Sequence, residues 1–102
     1  MDKEIKTATL EMEKWLADPH ELGRKPAKIE YVNSFKDEDG ITCMIFKYKK
    51  SVFGKWLLGI VSESGTFSEM QEYHESTAVS DAKEILDMLK NYWKELANKM
   101  QE

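Results

Sequence analysis

Two short runs near the middle of the chain are apolar on both faces. In ITCMIFKYK, residues 41–49, a period of two puts Ile41, Cys43 and Ile45 on one side and Met44, Phe46 and Tyr48 on the other. In WLLGIVS, residues 56–62, Trp56, Leu58 and Ile60 oppose Leu57 and Val61. A strand that alternates apolar with polar residues can leave one face in water. These two cannot, so whatever sheet they build needs a cover on each side.

The flanking segments supply both partners for the sheet and candidate covers. KIEYVNSF, residues 28–35, predicts a first strand, with Ile29, Tyr31 and Phe35 on one face and Glu30, Val32 and Ser34 on the other. KDEDG, residues 36–40, ends in the Asp-Gly pair typical of a hairpin, and KSVFGK, residues 50–55, turns the chain again. Before the strands, Ile5, Ala8, Met12 and Trp15 recur at helical steps, widened by Thr9 and Leu16. Asp2 and Glu4 sit in the first turn, and Pro19 ends the helix near residue 17. After the strands, Val79, Ala82, Leu86, Leu89, Trp93, Leu96 and Met100 are spaced 3, 4, 3, 4, 3 and 4, a helix with a continuous apolar seam. Residues 66–73 are open to either a short fourth strand or an ordered loop.

The expected architecture is therefore α+β, a single domain over residues 1–102. Its order is helix-strand-strand-strand-helix, a three-stranded antiparallel meander with room for a fourth strand. Packing both helices on one face is the economical arrangement. It would leave Met44, Phe46, Leu57 and Val61 on the second face, to be covered by residues 67–73, by a second copy of the chain or by another protein. The C-terminal seam is long enough for a minimal coiled coil, and packing onto the sheet accounts for it as well.

Composition narrows the class. With 102 residues, 41% hydrophobic and 33% charged, the chain can bury one core without metal or disulfide. Cys43 is the single cysteine, so no internal disulfide forms and a reducing compartment is expected. The first residues mix both charge signs without an apolar h-region, unlike a signal peptide, and no apolar run approaches a membrane span. A cytoplasmic protein without membrane contact is the expectation. The net charge of −4 hides two blocks. Residues 41–61 hold Lys47, Lys49, Lys50 and Lys55 and no acid, whereas residues 56–82 hold Glu63, Glu69, Glu72, Glu75 and Asp81 and no lysine or arginine. Such blocks pair across a fold or steer a charged partner.

Chemical motifs are weak. In IVSESGTF the glycines a nucleophile elbow needs two residues before and after its serine are missing: Ile60 precedes Ser62, and Ser62 and Thr66 flank Ser64. The stretch reads as the polar turn leaving the third strand. Gly54-Lys55 lacks the upstream glycine and following hydroxyl of a phosphate loop, because Lys49 and Trp56 stand there. Gly59, inside a strand, points to close approach by a packed neighbour. His20 and His74 lie beside carboxylates but have no second ligand at helical spacing. No catalytic residue, metal site or cofactor is expected, and Cys43 reads as a buried, inert thiol.

The hairpin over residues 47–56 interleaves Lys47, Lys49, Lys50 and Lys55 with Tyr48, Phe53 and Trp56, the ingredients of single-strand nucleic-acid binding. The order of elements over residues 3–100 also resembles that of double-stranded-RNA-binding domains. The resemblance implies shape. The lysine-rich start of that family's second helix is replaced by Asp81 and Glu84 around a single Lys83, and its histidine-bearing loop by KDEDG, so the RNA-contacting residues do not carry over. The leading expectation is a protein-interaction or accessory module that binds another protein or itself. Met44, Phe46, Tyr48 and Leu57 form its candidate face, with Lys49, Lys50 and Phe53 at the hairpin tip. Nucleic-acid binding by the hairpin is the alternative.

Overall fold

The computed structural model describes residues 2–63, 65–68 and 71–100. Helix α1 (Asp2–Leu16) precedes β1 (Lys28–Lys36), β2 (Thr42–Lys49), β3 (Leu57–Ser62) and β4 (Gly65–Phe67), and α2 (Ala78–Met100) closes the order. The strands make one antiparallel sheet in sequence order. No helix among the described residues is long and apolar enough to cross a membrane.

The fourth strand is real but short. Phe67, Thr66 and Gly65 pair with Ile60, Val61 and Ser62. The chain then rejoins the same edge: Leu58 donates its backbone N–H to the Gln71 carbonyl at 2.8 Å, and Tyr73 donates to that of Trp56 at 2.8 Å. Glu69 and Met70, within the segment expected to be strand or loop, lie outside the described residues.

The helices do not share a face. α1 buries Ala8, Met12 and Leu16 against Phe46, Tyr48 and Val61, with Met44, Leu57, Ile29 and Tyr31 around them. α2 buries Ala78, Ala82, Ile85 and Leu86 against Cys43, Ile45, Leu58 and Ile60 on the other side. The two clusters take alternate residues of β2 and β3, so the sheet lies between the helices. This corrects the expectation of a one-sided pair. Two-sided apolar strands need a cover on each face, and one amphipathic helix per face meets that need within the chain.

β1 departs from simple alternation for a related reason. Tyr31 pairs with Phe46 but Asn33 pairs with Ile45, leaving Val32 as an extra residue. The bulge flips the parity behind it. Ile29 and Tyr31 face α1, whereas Val32 and Phe35 pack on the α2 cluster. Phe35 thus lies on the opposite face from Tyr31, contrary to the period-two reading.

Gly59 sets how closely α1 approaches. A Cβ at this position would lie 2.6 Å from Met12 Cε and 2.9 Å from its sulfur. The thioether of Met12 fills the space that a side chain on β3 would take, which explains a glycine in the middle of a buried strand. Gly59→Val is expected to destabilise the fold by about 1–3 kcal/mol through overpacking, and most of that cost should vanish in a Met12→Ala background. Urea midpoints of the four chains in this cycle check it. Equal costs in both backgrounds would show that Met12 is not what Gly59 accommodates.

Candidate functional site

The expected docking face is occupied by the chain itself. Phe46 and Tyr48 are fully buried beneath α1, and Met44 and Leu57 are half-buried at the margin of the same cluster. Tyr48 is a structural tie. Ser68 Oγ donates to the Leu58 carbonyl at 3.2 Å, which leaves the Tyr48 hydroxyl to donate to Ser68 Oγ. Burial pushes the Tyr48 phenol up from its ordinary value, against the opposing effect of the Ser68 bond.

The hairpin between β2 and β3 divides in two. At its base, Lys47 Nζ and Lys49 Nζ lie 4.6 and 4.9 Å from the Trp56 ring centre. Lys47 also approaches Glu30 at 3.7 Å, and Lys55 approaches Glu72 at 4.0 Å. The basic and acidic blocks therefore meet across the fold in part, and Trp56 is dressed by cations rather than bare for base stacking. At its tip, Phe53 is 99% exposed beside exposed Val52 and Lys50. Of the seven candidate residues, the structure leaves Lys49, Lys50 and Phe53 together at one end of the sheet. It separates them from Phe46, which is in the core, and from Met44, half-buried at the core's margin.

The enzyme-like groups remain scattered. Ser62 ends β3 and donates to the Gly65 carbonyl at 3.4 Å across the β3–β4 turn, while Ser64 lies outside the described residues. His20 and His74 are exposed in separate loops. Among the described residues no three His, Cys, Asp or Glu side chains converge as metal ligands would. Cys43 is buried, and desolvation, assisted by the charge of Asp37, pushes its thiol up from the ordinary value. Such a thiol is a poor nucleophile.

A different surface stands out on α2. Its buried residues end at Leu86, Leu89 is half-buried, and residues 91–100 are exposed throughout. The apolar seam continues past the sheet regardless: Trp93 is 59% exposed and Met100 81%, with Leu96 between them and Tyr92 stacked edge-on to Trp93 at 5.7 Å. Twenty-three residues make a helix about 35 Å long, whereas eight-residue β2 spans only about 26 Å. The helix outruns its sheet.

The point of departure is clamped. Asp37 Oδ1 accepts the backbone N–H groups of Asp39 and Ile41, both at 2.9 Å, and shapes the β1–β2 turn, with Gly40 supplying the left-handed residue at φ 78°. Lys90 of α2 reaches Asp37 at 3.7 Å and Asp39 at 3.4 Å. The Ile41 N–H holds the Asp37 carboxyl below its ordinary value. Desolvation lowers Lys90, but its bond to Asp39 and the charges of Asp39, Asp37 and Glu38 outweigh that and raise it. KDEDG read as a turn, and nothing local to it pointed to Lys90.

Compared with known proteins, the chain matches no family model, no curated protein and no solved structure.

The lowered Asp37 carboxyl gives a pH signature. Its stabilising contribution is present above the ordinary aspartate value near 4 and is lost as pH falls through the lower folded value. Asp37→Asn should thus lower the urea midpoint at pH 6, and the gap from the parent chain should close on acidification below about pH 4. A gap that persists undiminished at low pH would mean that the charge of Asp37 is not what stabilises the turn.

Proposed function

We propose that the chain is a non-catalytic protein-interaction module of the cytoplasm, and that it docks through the apolar seam of α2 beyond Leu89. The observation that supports this reading is the uncovered run of Tyr92, Trp93, Leu96 and Met100 on one side of a regular helix. Contiguous exposed apolar side chains rimmed by charge mark interaction sites, and tryptophan and tyrosine are common anchors there. An amphipathic helix laid along a complementary apolar surface is a recurrent mode of protein recognition. The reducing compartment is supported by the free, buried thiol of Cys43.

A second reading rests on Phe53. A ring clear of the protein beside Lys50 suits stacking on an unpaired base, with phosphate contacts from Lys49 and Lys50. Affinity that falls steeply with salt and is lost in Lys49→Glu with Lys50→Glu would mark that mode.

Photoreactive side chains placed at Leu96, at Met100 and, as a control, at exposed Lys6 of α1 separate the readings in native host cells. Protein adducts are expected from the two seam positions, surviving nuclease treatment and absent from the control. Seam positions that react no more than Lys6, or adducts that vanish with nuclease, would contradict docking through α2.

A further inference from the structure

We infer that the seam's occupant is a second copy of this chain, paired antiparallel through the overhanging half of α2. The inference rests on the docking reading above and gives it a partner and a register.

The first argument is steric. Along the earlier part of α2 the seam faces the sheet, with Ala82 and Leu86 packed on it. A sustained heptad drifts only about 20° per repeat on a straight helix, so Trp93, Leu96 and Met100 look out on nearly the same side as the sheet. A helix docked on them runs into the sheet of the first chain where α2 leaves it. A parallel second copy would bring both sheets into one volume. An antiparallel copy places the two sheets at opposite ends, and the two overhangs match in length because they are the same segment.

The second argument is the pairing this permits. In an antiparallel pair the alternating seam positions face one another across the axis. Setting Trp93 opposite Leu96 of the second copy places Leu89 opposite its Met100, and the two-fold repeats both contacts. Four apolar layers close with no polar residue among them. The same register decides the flanks. Lys90, already held by Asp37 and Asp39, falls opposite Ala97, and Lys99 falls opposite the Tyr92 ring, where a cation is favoured. No like charges meet across the seam.

The third argument is what receives Met100. Where α2 leaves the sheet, Phe67, Leu86, Leu89 and Trp93 line a groove of about 150 Å³ together with Cys43, Ser62 and the ion pair of Asp37 with Lys90. In this register Met100 of the second copy arrives at Leu89 and can place its thioether in that groove. The groove has room for a methionine side chain, whose thioether packs favourably against aromatic rings such as those of Phe67 and Trp93. Two aromatic rings of about 150–250 Å² each with their aliphatic neighbours put the contact on the order of 600 Å² per copy, at the lower edge of specific interfaces. A dimer of that size is expected to exchange, with a dissociation constant in the micromolar range.

Sedimentation of the purified full chain over a wide concentration range, together with cross-linking, tests this. The mass should double with concentration, and Leu96→Glu, which alters an exposed helical position, should keep the chain monomeric with an unchanged urea midpoint. Chains carrying Tyr92→Cys and Lys99→Cys should cross-link through a short bis-maleimide when mixed and not when either is alone, the buried Cys43 being unreactive. Cross-linking of each variant with itself would establish a parallel pair and overturn the register. Doubling that survives Leu96→Glu would place the interface elsewhere and overturn the inference. A chain that stays monomeric at every concentration overturns self-pairing. In that case photo-adducts from Leu96 to a different protein would still uphold docking through α2, and their absence would remove both.

Discussion

The fold depends on the two-sided apolar character of β2 and β3. Cys43, Ile45, Leu58 and Ile60 require one cover, and Phe46, Tyr48 and Val61 require another. Each fully buried large side chain contributes about 1.5–3 kcal/mol, so neither face can be left to water in a domain whose net stability is of order 10 kcal/mol. Assigning α1 to one face and α2 to the other settles this demand without a partner. It also moves the search for a binding surface away from the sheet. What the sheet would have offered is already used.

The two helices meet their tasks unequally. α1 has 15 residues and ends as its last apolar residue, Leu16, is buried. α2 has 23 residues and buries its seam only as far as the strands extend beneath it. The Asp37 turn and Lys90 tie the helix to the rim of the sheet, adding a charge contact to the packing. A rigid helix with an apolar side and no cover is a costly feature to maintain in water. The proposed pairing gives it a use. The base of the Lys-rich hairpin at the other end of the sheet is, by contrast, partnered internally through Trp56, Glu30 and Glu72.

Much of this was legible in the residues. The period of 3.6 located both helices, Asp39-Gly40 located the first hairpin, and the glycine inside β3 announced a close neighbour, which is Met12. Three features were not. Alternation tells that a strand has two apolar faces but not which helix covers which, because that depends on how the connections cross the sheet ends. The bulge at Val32 is invisible because one added residue leaves the local pattern intact while reversing every side chain after it. The seam of α2 is uniform from Val79 to Met100, and only the length of the strands below decides where burial stops. For the same reason Asp37 and Lys90, 53 positions apart in the chain, form a pair that no local motif contains.

Hydrogen exchange along α2, read at high dilution and again at high protein concentration, tests most directly whether the helix is half covered by its own sheet and half open to a partner. The expected result is slow exchange for residues 81–89 in both conditions, with residues 91–100 exchanging rapidly in the dilute monomer and becoming protected on concentration. Equal protection of both halves at every dilution would contradict the account, because the seam beyond Leu89 would then already be covered within a single chain.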